Sequence, residues 1–295
     1  MKEKEFGMPF RSAVIDVGSA SLILSVFEGK SLIYENVIPW GSISVLEHGE
    51  LSNEAVGFLE KTLDHLFELA GHLGAENIRV FATGIFRATG NGKNMLKRIC
   101  ERYGVKWKIL SPDEEAFLSY SACMGDFGED IIVADVGGNS VEVCDYGEFI
   151  YSKEYGARVI SKEFGMIPPV SMREIDDCVK KLSTAFSHIP RASRFVTVGS
   201  VGVLSSLFIE GLTDYCDCVH GTYIDRVSIE DNLEKVRKMR IDEIEAVGKA
   251  FEGRGSLFLA GMVILRALLD AFGFEGFLVS TKGFRHGVMT IENWR

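Results

Sequence analysis

The sequence predicts an α/β protein of two lobes, each built on a mixed β-sheet flanked by helices. Three observations predict it. The segment Val-Ile-Asp-Val-Gly-Ser-Ala-Ser at 14–21 returns as Val-Ala-Asp-Val-Gly-Gly-Asn-Ser at 133–140, with five of eight positions identical. Each copy continues with an apolar run, a Gly turn and a second strand-like run, after which helical and strand patterns alternate. The length of 295 residues exceeds what one hydrophobic core comfortably serves. Repeats of this kind report duplicated supersecondary units. The domains are expected at 1–126 and 127–295, with the last helix a candidate to pack back on the first domain.

Taken in order, the first unit opens with strand-like runs at 22–27 and 32–34 around Gly29. Asn53 reads as an N-cap, followed at helical spacing by Ala55, Val56, Leu59, Leu63, Leu66, Phe67 and Ala70, until Gly71 and Gly74 end the pattern. A strand at 78–82, a helix at 93–103 and a strand at 105–110 follow. Ser111-Pro112-Asp113-Glu114 then combines an N-cap, a proline at the first helical position and a glutamate at the third, opening a helix to about 124. That pattern commits Glu114 to the backbone. Glu115 points about 100° away around the helix, turned toward a cleft or toward solvent, where the helix dipole also favours a carboxylate. The second unit brings a strand at 131–135 and runs at 141–146 and 149–151 around Gly147. Helices at 172–186, 200–209, 229–238, 241–250 and 255–271, strands at 195–198 and 277–280, and a last helix from about 284 complete it.

Composition narrows the classes. With 46% hydrophobic and 25% charged residues, 6 prolines and no low-complexity tract, the chain reads as globular. The opening MKEKEFGMPFRS lacks the apolar core of a signal peptide. Apolar stretches are expected to fall short of the ~18 residues a membrane span needs, so a cytoplasmic protein with no membrane partner is expected. A net charge of −10 argues against nucleic-acid binding. The six cysteines, Cys100, Cys123, Cys144, Cys178, Cys216 and Cys218, are expected as free core thiols. In Cys216-Asp217-Cys218-Val219-His220 the ligands are too few and too closely spaced for a structural zinc site.

The repeated Asp-x-Gly turn carries the functional signal. A glycine allows a tight turn, expected at positive φ, with amides aimed at an anion, and an aspartate at the strand end can hold a metal-bound water. One copy alone reads as a hairpin turn with a polar Asp; two copies, each opening a similar unit, point to a phosphate site assembled from both.

At this point the chain resembles the exopolyphosphatase / guanosine pentaphosphate phosphohydrolase (Ppx/GppA) family. The motifs are Asp16-Val17-Gly18-Ser19-Ala20-Ser21, Ala82-Thr83-Gly84-Ile85-Phe86-Arg87, Ser111-Pro112-Asp113-Glu114-Glu115-Ala116, Asp135-Val136-Gly137-Gly138-Asn139-Ser140 with Glu142, the turn from Gly199 to Gly202, and Ser280-Thr281-Lys282-Gly283-Phe284-Arg285-His286-Gly287. The resemblance implies two actin-like (ribonuclease H-like) domains with an interdomain cleft. It also implies a Mg²⁺- or Mn²⁺-dependent phosphohydrolase that removes terminal phosphates from inorganic polyphosphate or pppGpp. Carried over, Glu115 is the general base, with Asp135 and Asp16 as catalytic partners. Asp16, Asp135 and Glu142 handle the metal. Gly18, Ser19, Ser21, Arg87, Gly137, Gly138, Asn139, Ser140 and Arg285 bind phosphate. The family often forms homodimers, for which the helix-rich C-terminal half is the candidate face, although apolar helix faces more often pack internally.

Departures from the family pattern strip positive charge and hydroxyls while leaving the carboxylates. Ala20 and Ile23 replace polar and basic positions, Pro39-Trp40-Gly41 replaces Arg-Leu-Gly, Asn139 and Val141 replace Gly and Thr, and Phe117 stands where Arg is common. Gly199-Ser200-Val201-Gly202-Val203 reduces a Gly-Thr-rich turn, and only Arg254 remains of an Arg-Ala-Asp segment. Arg158, one position from a family Arg, and Lys153, Lys282 and Arg285 are candidates to compensate. Lost donors weaken phosphoryl transfer, so a shorter substrate or poor turnover is expected. Two alternatives stay open: a catalytically weak or inactive sensor of phosphorylated nucleotides such as (p)ppGpp, and an ATPase or kinase of the same superfold.

Overall fold

The computed structural model describes residues 10–19, 21–40, 46, 47 and 49–291. Ala20 and Gly41, both weighed above, lie outside them. The chain divides into two compact units between Ser111 and Pro112.

The first unit is a five-stranded sheet ordered β3-β2-β1-β6-β7. β1 (Arg11–Val17), β2 (Ser21–Glu28) and β3 (Ser31–Pro39) form an antiparallel meander. The two-residue strands β4 (Leu46–Glu47) and β5 (Glu50–Leu51) pair apart from it. α1 (Asn53–His72) and α2 (Gly90–Tyr103) precede β6 (Asn77–Ala82) and β7 (Lys106–Ile109), which continue the sheet parallel to β1. The cap of α1 is Ser52, whose hydroxyl accepts the Ala55 amide, so the helix starts at the residue the sequence reading assigned as the cap. Leu59, Leu63 and Leu66 of α1 and Met95, Leu96 and Ile99 of α2 pack on Ala13, Ile15 and Val17 of β1. Each fully buried Leu there stabilises by roughly 1.5–3 kcal/mol.

The second unit repeats this order. It opens with α3 (Pro112–Phe127), and its six-stranded sheet runs β10-β9-β8-β11-β13-β12. β8 (Ile131–Val136), β9 (Val141–Asp145) and β10 (Glu148–Lys153) form the antiparallel meander. β11 (Arg194–Val198) and β13 (Gly276–Val279) are parallel to β8, and β12 (Tyr223–Asp225) adds an antiparallel edge. α4 (Ala157–Glu163), α5 (Met172–Ala185), α6 (Ser200–Glu210), α7 (Arg226–Val236), α8 (Ile241–Glu245) and α9 (Gly255–Phe272) share a core with Ile132, Ala134 and Val136 on one sheet face. α3 covers the opposite face through Ala116, Tyr120 and Cys123, which meet Ile131, Val133, Cys144, Val196 and Val198. α10 (Phe284–Thr290) packs on α3.

Several expectations are corrected here. The unit boundary falls at 111/112 rather than 126/127, because the sheet-facing residues of α3 complete the second core. The expected helix at 241–250 stops at Glu245, where Gly248 closes so tightly on Thr213 that a Cβ there would collide with its backbone. α7 starts at Arg226 because Asp225 caps it, accepting the Ser228 amide at 2.7 Å. α4 and β12 were not anticipated; both are short, and the α4 cap is a glycine with no capping side chain. α9 is an 18-residue helix long and apolar enough by length and composition to cross a membrane, contrary to the expectation that no stretch reaches that length; 72% of it is buried in the core. Cys216 and Cys218 form a disulfide, while Cys100, Cys123, Cys144 and Cys178 are free and buried.

Candidate active site

The two Asp-x-Gly loops are built alike. The Gly18 amide donates to the Ser21 carbonyl at 3.0 Å, and the Gly137 amide to the Ser140 carbonyl at the same distance. Neither glycine takes the positive φ expected of it. What each supplies is room: a Cβ on either would stand 3.2 Å from the carbonyl its own amide bonds.

In the first unit Asp16 is buried near the end of β1, on the sheet face opposite α1 and α2. The loop after it is clamped from two sides. The indole N–H of fully buried Trp40 donates to the Gly18 carbonyl at 2.9 Å. The Ser19 hydroxyl accepts the Ile85 amide at 3.1 Å, which fixes the oxygen and directs its own hydrogen elsewhere. The turn that delivers that amide requires Gly84, at φ +52° and so close to Ser19 that a Cβ would collide with its hydroxyl. The same turn, Gly84–Arg87, carries Arg87, whose guanidinium donates to the Leu110 carbonyl at 3.1 Å. Asp16, Gly18, Ser19, Ser21 and Arg87 therefore belong to one locality of the first unit.

In the second unit the loop 137–140 is bound by the start of α4. Amides of Gly156, Ala157 and Arg158 donate to the carbonyls of Asn139, Gly137 and Gly138 at 3.0, 3.0 and 2.7 Å. Only glycine fits at 156, where a Cβ would collide with the backbone of Gly138 and Asn139. With the carbonyls so occupied, the loop's amide side is left for an anion; among the described residues no backbone acceptor receives the amides of Gly138, Asn139 or Ser140.

Asp135 lies one residue before the end of β8, on the α3 face of the sheet, directly opposite Glu142 in the β8–β9 register. Directly opposed residues point to the same face, so the two carboxylates are neighbours. Buried Glu142 accepts the Ser152 hydroxyl at 2.8 Å from the next strand. Asp135 accepts the hydroxyl of fully buried Ser119 at 2.7 Å. Burial pushes the Asp135 carboxyl up from the ordinary carboxylate range; the Ser119 hydroxyl and the positive charge of Arg285 oppose that shift. Gly199 brings the start of α6 against the same carboxylate: a Cβ there would stand 3.2 Å from Asp135 Oδ1. Glu115 is half-buried in the first turn of α3, four residues before Ser119 and thus on the same helix face one turn away.

The structure thus gathers Glu115, Asp135, Glu142, Arg285 and the 137–140 loop on one unit, and Asp16, Gly18, Ser19, Ser21 and Arg87 on the other. The sequence reading missed Ser119, Ser152 and the clamp by Trp40. Ser119 was legible as the residue four beyond Glu115; Trp40 had appeared only as the loss of an arginine. Two oxygen-bearing side chains, Asp135 and Glu142, backed by hydroxyls, suit a hard divalent cation that keeps most of its water. Among the described residues no group of three or more His, Cys, Asp or Glu forms a closed metal cage. Mg²⁺ characteristically binds through one or two carboxylates plus substrate phosphates, so the residues fit it.

Comparison with known proteins agrees with this architecture. The family model described as Ppx/GppA phosphatase matches residues 41–292. The bifunctional 3-dehydroquinate synthase/phosphatase of Fusobacterium nucleatum is 24% identical over 92% of this chain and 45% of its own length. Exopolyphosphatase 1 of Mycobacterium leprae is 30% identical over 32% of this chain and 29% of its own. The chain spans less than half the length of these curated relatives. Among solved structures, a Ppx/GppA family member of Aquifex aeolicus superposes with a TM-score of 0.81 at 22% identity, covering 95% of this chain and 96% of that one. An exopolyphosphatase of Cytophaga hutchinsonii also gives 0.81, at 16% identity, with the same coverage of both chains. At these identities the superpositions show the fold.

Proposed function

Because the chain belongs to the Ppx/GppA phosphatase family, we propose that it is a phosphohydrolase cleaving the terminal phosphoanhydride of a short phosphorylated substrate, such as pppGpp or short polyphosphate. The observation that carries the reading is the placement of Glu115 one helical turn from the hydroxyl that holds Asp135. Glu115 takes the proton of the attacking water as the water's oxygen bonds to the terminal phosphorus and the bridging P–O bond breaks, its electron pair leaving on the shortened phosphate chain; positioned general bases contribute typically ~10²–10⁴-fold. Arg285 and the amides of Gly138, Asn139 and Ser140 receive the phosphate oxygens, and fixed donors of this kind stabilise charge as it develops. Asp135 and Glu142 would hold Mg²⁺ or Mn²⁺, which when bound supplies charge neutralisation at the phosphate. In the first unit, Asp16 and Arg87 carry the same two chemistries. A short substrate is favoured because the family's Arg position is occupied by Phe117, 43% exposed, and a long polyanion needs more cations than remain.

Phosphate release from pppGpp, short polyphosphate and nucleoside triphosphates, with and without Mg²⁺, tests the reading. Release that needs the cation and falls at least ~100-fold in Glu115→Gln supports it; undiminished release by that variant removes Glu115 from the role. Phe117 also favours a second reading, a nucleotide sensor, which binds the same compounds in calorimetry without turning them over.

A further inference from the structure

We infer that Cys216 and Cys218 form a thiol–disulfide exchange site, with small neutral or cationic thiols as its substrates. The pair bridges residues two apart, with Cα atoms separated by 5.1 Å, just before and within a short 3₁₀ turn, Asp217–Val219. A disulfide that closes so short a loop removes little freedom from the unfolded chain. The folded segment is secured without it. The amides of Val219, His220 and Thr222 donate to the carbonyls of Cys216, Asp217 and Val219; Gly221 donates to Val279, and Val279 to Thr222. Val219 is buried. The bridge is therefore chemistry placed on a finished surface rather than a staple.

The two sulfurs are inequivalent. Cys218 is exposed and Cys216 half-buried, so an incoming thiolate reaches Cys218. Cys216 Sγ accepts the Cys218 amide at 3.0 Å, and a donor already in place stabilises the thiolate that leaves; a better leaving thiolate speeds exchange. The incoming thiolate bonds to Cys218 Sγ as the disulfide breaks, and Cys216 departs with the electron pair and takes a proton from water. A second thiol attacks the sulfur of the first, releasing the small-molecule disulfide and leaving Cys218 as a thiol. Two thiols are thus oxidised and the protein gains two electrons and two protons. Exposed Asp214 and Asp217, within two residues of the sulfurs, repel anionic thiolates and set the charge preference. The other four cysteines offer no competing site. They are buried, which pushes the thiols of Cys100, Cys123 and Cys144 up to about 12 and that of Cys178 up to about 11.

The test equilibrates the native full chain in cysteamine/cystamine and dithiothreitol redox buffers, alkylates it and counts labelled cysteines by mass. Cys216 and Cys218 should label together and reversibly, with tenfold in reduced-to-oxidised ratio per about 30 mV, while the buried four stay unlabelled. At low salt cysteamine should reduce the bridge faster than 2-mercaptoethanesulfonate, on the order of threefold, with the gap closing in 1 M salt. The Cys216→Ser/Cys218→Ser double variant should melt within about 2 °C of the parent. A bridge that opens only on unfolding, or a double variant that fails to fold, overturns the exchange site. Equal rates with the two thiols overturn the substrate class. None of these measurements depends on phosphatase activity.

Discussion

The Ser119 hydroxyl donates to Asp135 Oδ2 across 2.7 Å, joining the helix that carries Glu115 to the strand that carries the candidate metal carboxylate. Ser119→Ala leaves an enclosed carboxylate without that donor. The expected loss is about 1.5–3 kcal/mol of stability, the range for a hydrogen bond to a charged group, with weaker Mn²⁺ binding. Urea unfolding and a Mn²⁺ titration check the two effects separately.

Gly287 on α10 lies against the Leu118 carbonyl of α3 so closely that a Cβ would collide with it. Since the obstacle is backbone, Gly287→Ala forces the helices apart. Overpacking of this kind costs ~1–3 kcal/mol. Arg285 and Glu115 sit on the two helices concerned, so phosphate release should fall more than stability does, as measured by kcat beside the unfolding midpoint.

Trp40→Phe removes the indole donor to the Gly18 carbonyl and leaves a void beside Phe58 and Phe86, whose ring centroids lie 6.5 and 6.4 Å from that of Trp40. The expected cost is roughly 2–4 kcal/mol, a lost hydrogen bond plus a cavity. Faster amide exchange at Gly18, Ser19 and Ser21 distinguishes a loosened loop from a uniform loss of stability.

Burial and the positive charges of Arg285, Lys282 and His220 push His286 down to about 3, with Asp126 opposing. Its folded value thus lies below its unfolded one, near 6.5. Between the two the unfolded chain binds the extra proton, so stability is full above about pH 6.5 and falls as pH drops toward 3. His286 is half-buried, so roughly half the ideal 1.36 kcal/mol per pH unit is expected, about 2 kcal/mol lost by pH 4. His286→Gln should flatten the dependence of the urea midpoint on pH between 6.5 and 4.

Much of this fold was legible because duplication doubled a weak signal: residues 14–21 and 133–140 matched, and both loops close with the same Gly-to-Ser hydrogen bond. Helices with long apolar stripes, α1 and α9, were read to within a residue or two. Elements set by tertiary contact were not. α4 is held by its grip on loop 137–140, and the helix expected at 241–250 is broken by the Thr213 backbone, and neither contact leaves a local pattern. Positive φ at the Asp-x-Gly glycines was a wrong reason for the right residue. The Asp135–Glu142 pairing could have been read from the hairpin register, whereas the partnership of Ser119 with Asp135 depends on which sheet α3 covers.

The added strand β12 gives the two copies different fates at their outer margins. In the second unit it lies antiparallel along β13 and shields the backbone groups that would otherwise face outward. The first unit ends instead on β7, only four residues long, with Lys106 and Lys108 exposed. Short length and outward lysines are the devices by which open margins resist pairing with a stranger's strand. The corresponding margins of the two sheets are thus finished differently, by one further short strand in the second unit and by short length and charge in the first.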